Sequence, residues 1–145
     1  PYQDEDSDYA AVIPIFSRAL LTGEAPVIYG DGKQTRDFTF VGNVVQANLL
    51  AAEREQAVGK IMNVACGGSY DLNYLLEKLQ RAYDTNIKAV YEDPRTGDVK
   101  HSKADISLAR EALGYEPATG FEEGLKETAE WYLRKISTAQ SNPNS

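Results

Sequence analysis

Residues 27–41 constrain the fold more than any other part of the sequence, because they place a glycine turn between two apolar stretches. The segment reads VIYGDGKQTRDFTFV. Glycine and aspartate adopt the positive φ angles that tight turns need, and residues 30–32 are Gly-Asp-Gly. An apolar stretch at residues 27–29 precedes this turn, and an alternating run at residues 37–41 follows it. The segment therefore predicts a strand, a glycine turn and a second strand.

Arg36 stands where the predicted loop enters the second strand. From such a position a guanidinium can bind an oxyanion through two parallel hydrogen bonds. The alternative interpretation is that Arg36 pairs with the adjacent Asp37 or faces solvent, as most surface arginines do. The segment alone leaves both interpretations open.

Composition excludes several classes of function. The 145 residues carry a net charge of −7, so a duplex nucleic acid, which needs a basic surface, is an unsuitable partner. One cysteine and one histidine exclude a disulfide framework and a site rich in His and Cys for a metal. No apolar run is long enough to span a membrane, and no signal segment opens the chain. We expect one domain-sized cytoplasmic protein without nucleic-acid or membrane partners.

Hydrophobic spacing and capping residues predict a mixed α/β fold with about five helices and short strands. The residues after 136 form a polar tail, predicted to be disordered. The first eight residues are polar and acidic and are predicted to be an exposed lead-in. The predicted helices are 13–22 or 14–22 (ended by Gly23), 43–55 (capped by Asn43), 72–83 (capped by Asp71), 105–113 (capped by Asp105 and ended by Gly114) and 121–136 (opened by Thr119 and Glu122); the predicted strands are 27–29, 37–41, 60–65 and 87–91.

A long loop, residues 92–103, contains a second candidate site. Loops of this length in small domains are commonly binding elements. Arg95 could bind a phosphate and Asp98 the hydroxyls of a sugar, while Pro94 stiffens the approach and Gly97 permits a tight turn. The alternative interpretation is a solvated turn.

Several catalytic patterns are too weak to assign. Gly30 and Gly32 fall one glycine short of a dinucleotide fingerprint and lead into a predicted strand, whereas the fingerprint opens a helix. Tyr74 and Lys78 have the spacing of a catalytic Tyr–Lys pair, but they lie off the apolar face of their predicted helix. Cys66 and His101 have no neighbours that would form a nucleophile system.

Taken in order, six segments resemble the substrate-binding, C-terminal part of NAD-dependent nucleotide-sugar epimerases and dehydratases. These belong to the extended short-chain dehydrogenase/reductase family. The resemblance covers nearly the whole chain except its tail, and the GDVKHS segment is most similar to UDP-sugar 4-epimerases. The six segments are AAVIP (10–14), VIYGDGKQTRDFTFV (27–41), NVACG (63–67), PRTGDVKHSKADI (94–106), ALGYEP (112–117) and FEEGL (121–125).

The resemblance implies a role for seven residues at matching positions. Arg36 and Arg95 would hold the diphosphate of a UDP-sugar, and Asp98 would hold the uridine ribose. The uracil pocket would be lined by Ala11, Val12 and the strand from Val27 to Tyr29. Two departures from the family pattern weaken this assignment: Gly42-Asn43 replaces residues that are usually acidic, and Ser69 replaces a residue that can be basic.

The resemblance also implies what this chain does not contain. The sequence begins at Pro1 and its only methionine is Met62, so we expect a larger parent enzyme, of which residues 1–136 form the substrate-binding domain. NAD and the catalytic Tyr and Lys would belong to the nucleotide-binding half, upstream of Pro1. We expect this chain alone to hold no cofactor and to be inactive. A dehydratase fragment and a non-catalytic nucleotide-sugar-binding or structural fragment are the alternatives.

A consequence for association follows from the same resemblance. The helix at residues 44–55 and the strand at residues 60–65 would pack against the nucleotide-binding half. Without that half they would expose an apolar patch, and such patches favour self-association.

Overall fold

A computed structural model describes residues 11–141 of the chain, with side chains to residue 136. Within these residues the structure is mixed α/β, with five α-helices and short strands, which confirms the predicted fold class. The described residues form two compact units, one of residues 11–33, 72–98 and 125–141 and one of residues 34–71 and 99–124. The elements are α1 (Val12–Thr22), β1 (Val27–Tyr29), β2 (Thr35–Arg36), α2 (Val41–Glu53), a 3₁₀ turn (Glu55–Ala57), β3 (Tyr70–Asp71), α3 (Leu72–Ala82), β4 (Val90–Glu92), α4 (Ser107–Leu113) and α5 (Phe121–Ser141).

In the first unit, β1 and β4 pair in parallel and α1 packs against α3. Its buried core includes Phe16 of α1, Ile28 of β1 and Leu75 of α3. Helix α1 begins one or two residues before the predicted start, because Pro14 is tolerated within a first turn. It ends as predicted, since Gly23 adopts the left-handed conformation with φ of 81°.

In the second unit, β2 and β3 form a two-residue antiparallel pair, and α2 packs against α4 and the 3₁₀ turn. The side chain of Tyr115 is fully buried in its core and donates a hydrogen bond to the carbonyl of Ala65, at 3.0 Å. Burial raises the pKa of the Tyr115 hydroxyl above its ordinary value. The other buried members of this core are Ala47, Ile106, Ala109 and Leu113.

The prediction of a strand at residues 37–41 is wrong. The glycine turn is observed, with φ of 81° at Gly30 and 72° at Gly32, but the strand after it is Thr35–Arg36. It pairs with β3 rather than with β1. Residues 37–40 make no ladder, because the Asp37 carboxylate accepts hydrogen bonds from another loop and Phe38 stacks on Phe121, with ring centroids 5.4 Å apart.

The prediction of a strand at residues 60–65 is also wrong. Backbone hydrogen bonds of a strand need a neighbouring strand, and no segment within residues 11–141 forms a ladder with this one. The apolar residues of this segment lie in two different environments. Ala65 is buried in the second unit, whereas Ile61 is 96% exposed.

Capping residues account for the remaining differences at element ends. Helix α2 begins at Val41 and its N-cap is Phe40, so Asn43 lies inside the helix, where it is fully buried. Helix α4 has Ile106 at its N-cap, while Asp105 accepts a hydrogen bond from the backbone N–H of Ser107, at 2.9 Å. The strand predicted at residues 87–91 is observed as Val90–Glu92.

The last helix of the chain is longer than predicted. Helix α5 continues to Ser141, five residues beyond its predicted end, so the first part of the predicted tail is helical. The last four residues and the predicted acidic lead-in at residues 1–8 lie outside the described residues.

Candidate functional site

Val27 and Tyr29 lie on one face of β1, opposite the fully buried Ile28. Successive side chains of a strand point to opposite faces, so burial of Ile28 directs both neighbours away from the core. Both are half-buried. Strand β1 thus presents an apolar residue and an aromatic ring together, as the resemblance requires for a base pocket.

Arg95 lies against this strand in the same unit. Its guanidinium carbon is 3.8 Å from the centroid of the Tyr29 ring, which is a cation–π contact. The backbone N–H of Asp98 donates to the carbonyl of Arg95 at 3.2 Å, and Gly97 has φ of 85°. Arg95 and Asp98 are therefore the two ends of one closed turn.

Ala11 and Val12 lie at the beginning of α1, also in the first unit. Ala11 is the N-cap, with extended backbone angles and no side-chain cap. Its side chain is exposed, while that of Val12 is half-buried. Helix entrances present backbone N–H groups without an intrahelical partner, which is the property that a polar base edge can use.

Arg36 belongs to the second unit and is half-buried. Its Nη1 donates to the carbonyls of Val99 and Thr35, at 2.6 and 2.9 Å. The donors of a guanidinium form a rigid planar fork, so these two bonds orient the group. The position predicted for Arg36 needs correction: it lies within β2 rather than at the entrance of a later strand.

The C-terminal part of the predicted loop, residues 99–102, is bonded to β2. Thr35 donates its N–H to the carbonyl of Lys100 at 2.8 Å, and Ser102 donates its N–H to the carbonyl of Thr35 at 3.0 Å. The Thr35 hydroxyl and His101 Nδ1 are 3.0 Å apart and hydrogen-bonded. His101, which has no assigned role from sequence, therefore helps to keep the carbonyl of Val99 beside Arg36.

Asp37 is a structural residue that the sequence did not reveal. Its carboxylate accepts hydrogen bonds from the backbone N–H groups of Cys66, Gly67 and Gly68 at 3.2, 3.0 and 3.2 Å, and from Ala104 at 3.4 Å. It therefore ties two loops of the second unit to the residue next to Arg36. Glycines at 67 and 68 were the available signal, since backbone N–H groups there are accessible to a side chain.

The sequence predicts Asn43 as a helix cap, but its side chain has a different role in the structure. Its side-chain Nδ2 donates to the carbonyl of Thr119 at 2.8 Å, and its Oδ1 accepts from the N–H of Thr119 at 3.0 Å. Nδ2 is also 3.3 Å from the sulfur of Cys66. These contacts make Asn43 and Cys66 parts of a packed polar cluster.

The patterns set aside as non-catalytic have simple local structures. Lys78 Nζ lies 5.0 Å from the centroid of the Tyr74 ring, and both residues are outside the buried face of α3. The Gly30–Gly32 turn leads into β2, and the carbonyl of Gly32 accepts the N–H groups of Leu72 and Asn73. This turn therefore does not provide the strand, turn and helix order that binds a dinucleotide.

No cluster of three or more metal-ligating side chains occurs among the described residues. In the same part of the chain, no helix has the length and apolar character needed to cross a membrane.

Comparison with known proteins defines the class. The family model for GDP-mannose 4,6 dehydratase matches residues 1–128. A putative UDP-glucose 4-epimerase of Methanocaldococcus jannaschii is 37% identical over 122 residues, which are 84% of this chain and 39% of that protein. Other similar proteins include a UDP-N-acetyl-alpha-D-glucosaminuronate decarboxylase and a dTDP-glucose 4,6-dehydratase.

Solved structures agree with the sequence matches. A UDP-N-acetylglucosamine 4-epimerase from Methanobrevibacter ruminantium M1, in complex with UDP-N-acetylmuramic acid, is 46% identical with a TM-score of 0.85, covering 93% of this chain and 43% of that one. A Thermotoga maritima UDP-glucose 4-epimerase with UDP-glucose is 40% identical with a TM-score of 0.85, covering 94% and 43%. MoeE5, which is 34% identical, was solved with UDP-glucuronic acid and NAD.

The chain therefore belongs to the GDP-mannose 4,6 dehydratase family, within the extended short-chain dehydrogenase/reductase enzymes that the sequence resembles. It matches the C-terminal part of these proteins and spans about 40% of their length.

Proposed function

We propose that this chain is the UDP-sugar-binding part of an NAD-dependent nucleotide-sugar 4-epimerase. The observation that carries the proposal is the closed turn from Arg95 to Asp98, which holds a basic and an acidic residue on one loop, with the Arg95 guanidinium stacked on the Tyr29 ring of β1. A diphosphate needs the first group, ribose hydroxyls suit the second, and a base suits an apolar strand face. UDP-sugars occupy similar proteins at 40% identity and above.

In this proposal Arg36 and Arg95 hold the diphosphate, and Asp98 holds the ribose. Ala11, Val12, Val27 and Tyr29 line the uracil pocket. The chain supplies no catalytic residue, and NAD and the reacting groups belong to a nucleotide-binding part of the enzyme. The cytoplasmic location predicted from composition is part of the same proposal.

A dehydratase acting on another nucleoside diphosphate sugar is the second candidate. The family model's own description and the similar dTDP-glucose 4,6-dehydratase favour it. The two candidates differ in the base that the pocket must accept, so the choice of nucleotide distinguishes them.

A titration series tests the proposal. The purified chain is expected to bind UDP more tightly than dTDP or GDP in calorimetry, and to bind NAD not at all, because its only Gly-x-Gly turn leads into a strand. It is expected to form no epimerised product from UDP-glucose, since hydride transfer needs NAD held against the sugar. Preference for dTDP or GDP would favour the dehydratase, and measurable NAD affinity or product would contradict the assignment of the cofactor to another part.

The proposed partner surface lies on the second unit. Val41, Val45 and Leu49 follow each other at four-residue spacing along α2 and are 55%, 52% and 62% exposed. Val58 and Ile61 add two more exposed apolar side chains. The buried residues of α2, Asn43 and Ala47, lie on the opposite side, so the exposed apolar residues form a separate face of the helix. An exposed apolar patch was expected here, and we propose that the nucleotide-binding part covers it.

A charged residue in this patch is expected to reduce self-association. The wild-type chain should associate as its concentration increases in sedimentation velocity, and Leu49→Glu should shift it toward monomer, because a charge on the patch opposes burial. Leu133→Glu is the matched control, since Leu133 is an exposed apolar residue of α5. A wild-type chain that stays monomeric at every concentration would contradict the prediction.

A further inference from the structure

We propose that Tyr29 is a positioning residue for Arg95: its ring holds the guanidinium in the place from which Arg95 binds a diphosphate. The proposal rests on the proposed function, and it assigns Tyr29 a role in the phosphate site in addition to the uracil pocket. The supporting observation is the contact of the guanidinium carbon with the ring, 3.8 Å from its centroid.

The backbone explains why these two side chains meet. Parallel pairing sets Tyr29 opposite Glu92, and the N–H of Gly30 donates to the carbonyl of Glu92 at 2.8 Å. Pro94 then lies against Gly30, since a Cβ added to Gly30 would be 3.8 Å from the Pro94 ring. The chain leaving β4 therefore turns back over the end of β1 and delivers Arg95 to the ring.

The strand that leads into the loop is held by side chains as well. Tyr91 in β4 donates its hydroxyl hydrogen to the Oδ1 of Asn73 at 2.8 Å, and the Nδ2 of Asn73 donates to the carbonyl of Asp31 at 3.0 Å. This connects β4, α3 and the glycine turn of the first unit. The ring of Tyr29 and the backbone of Arg95 thus belong to the same bonded framework.

The physical effect of the contact is to restrict the arginine. An exposed arginine samples many rotamers, and a ligand that orders it must oppose that entropy. A guanidinium already stacked on a ring has lost part of this freedom before the ligand arrives. Exposed cation–π contacts have a strength that corresponds to about a two- to fivefold change in an equilibrium constant.

The test is a double-mutant cycle with UDP affinity as the measurement. Tyr29→Leu is expected to weaken UDP binding about two- to fivefold, whereas Tyr29→Phe, which keeps the ring, should stay close to wild type. In an Arg95→Ala background, Tyr29→Leu should have a smaller effect, because the group it positions is gone and only its contact with the uracil remains. Equal losses in both backgrounds would overturn the proposal, since Tyr29 would then act on the ligand directly.

A second measurement does not depend on binding. The ring current of Tyr29 should shift the side-chain proton resonances of Arg95 upfield in the wild-type chain and in Tyr29→Phe, but not in Tyr29→Leu. Resonances of Arg95 at ordinary positions in the wild-type chain would overturn the proposal. If the wild-type chain shows the shift but binds no UDP, the proposed function is wrong, and the positioning role in UDP binding is overturned with it.

Discussion

Replacing Arg36 by alanine is expected to weaken UDP binding by about 1.5–3 kcal/mol, which corresponds to a 10- to 150-fold loss of affinity. The alanine removes a charge-assisted contact that a diphosphate makes with the planar fork of a guanidinium. Arg36→Lys should give a smaller loss, because it keeps the charge but cannot form the fork. Isothermal titration calorimetry of the three proteins measures these differences directly.

The control for this experiment is Arg110→Ala, in the same unit. Arg110 is exposed and pairs with Glu116 at 3.0 Å, so its removal changes the net charge as Arg36→Ala does. UDP affinity should be unchanged in this variant. If Arg36→Ala bound UDP as tightly as Arg110→Ala does, Arg36 would not be part of the binding site. Thermal unfolding of each variant checks that the lost contact with the carbonyl of Val99 has not unfolded the chain.

Asp37→Ala is expected to lower the free energy of unfolding by about 2–4 kcal/mol, more than any other substitution described above. The substitution leaves the N–H groups of Cys66, Gly67 and Gly68 without their acceptor. Water can reach part of this half-buried site, which limits the loss. For a chain of this size the midpoint of thermal unfolding should fall by on the order of 10 °C.

Asp105→Ala is the matched control, because the carboxylate of Asp105 accepts a single backbone hydrogen bond, from Ser107, at an exposed position. Hydrogen bonds from the side chain and, second, from the backbone of Ser107 lower the pKa of Asp105. Its removal should shift the unfolding midpoint much less than Asp37→Ala does. Similar shifts for the two variants would mean that the Asp37 contacts add little to the stability of the second unit.

Elements with a strong local signal were predictable from sequence. The apolar spacing of α3 places Leu75, Leu76 and Leu79 on one buried face, as observed. Gly23 and Gly114 end α1 and α4 in the left-handed conformation, which glycine adopts without steric strain. In each case the determining interactions lie within one or two turns of the chain.

Elements that depend on distant residues were not predictable. Alternation at residues 37–41 is typical of a strand, yet Asp37 finds its hydrogen-bond partners about thirty residues further along. The side chain of Asn43 pairs with Thr119, at a separation that no local pattern reveals. The pairing of β2 with β3 rather than with β1 is likewise decided by tertiary contacts. The local pattern therefore predicted a wrong strand at residues 37–41 and a wrong helix cap at Asn43.

The candidate site likewise has one part that was predictable from sequence and one part that was not. The turn from Arg95 to Asp98 was predictable as a unit, because Gly97 allows it and Pro94 restricts it. The stacking of Arg95 on Tyr29 was not, since it results from the register of β1 with β4. Arg36 and Arg95 belong to different units, and their assignment to one diphosphate comes from the family resemblance.

A crystal structure of the chain with UDP tests the central claim most directly. The account predicts the diphosphate within hydrogen-bond distance of both Arg36 and Arg95 and the ribose hydroxyls on Asp98. It predicts the uracil against Ala11, Val12, Val27 and Tyr29. A UDP molecule bound elsewhere, or one whose phosphates meet neither guanidinium, would contradict it.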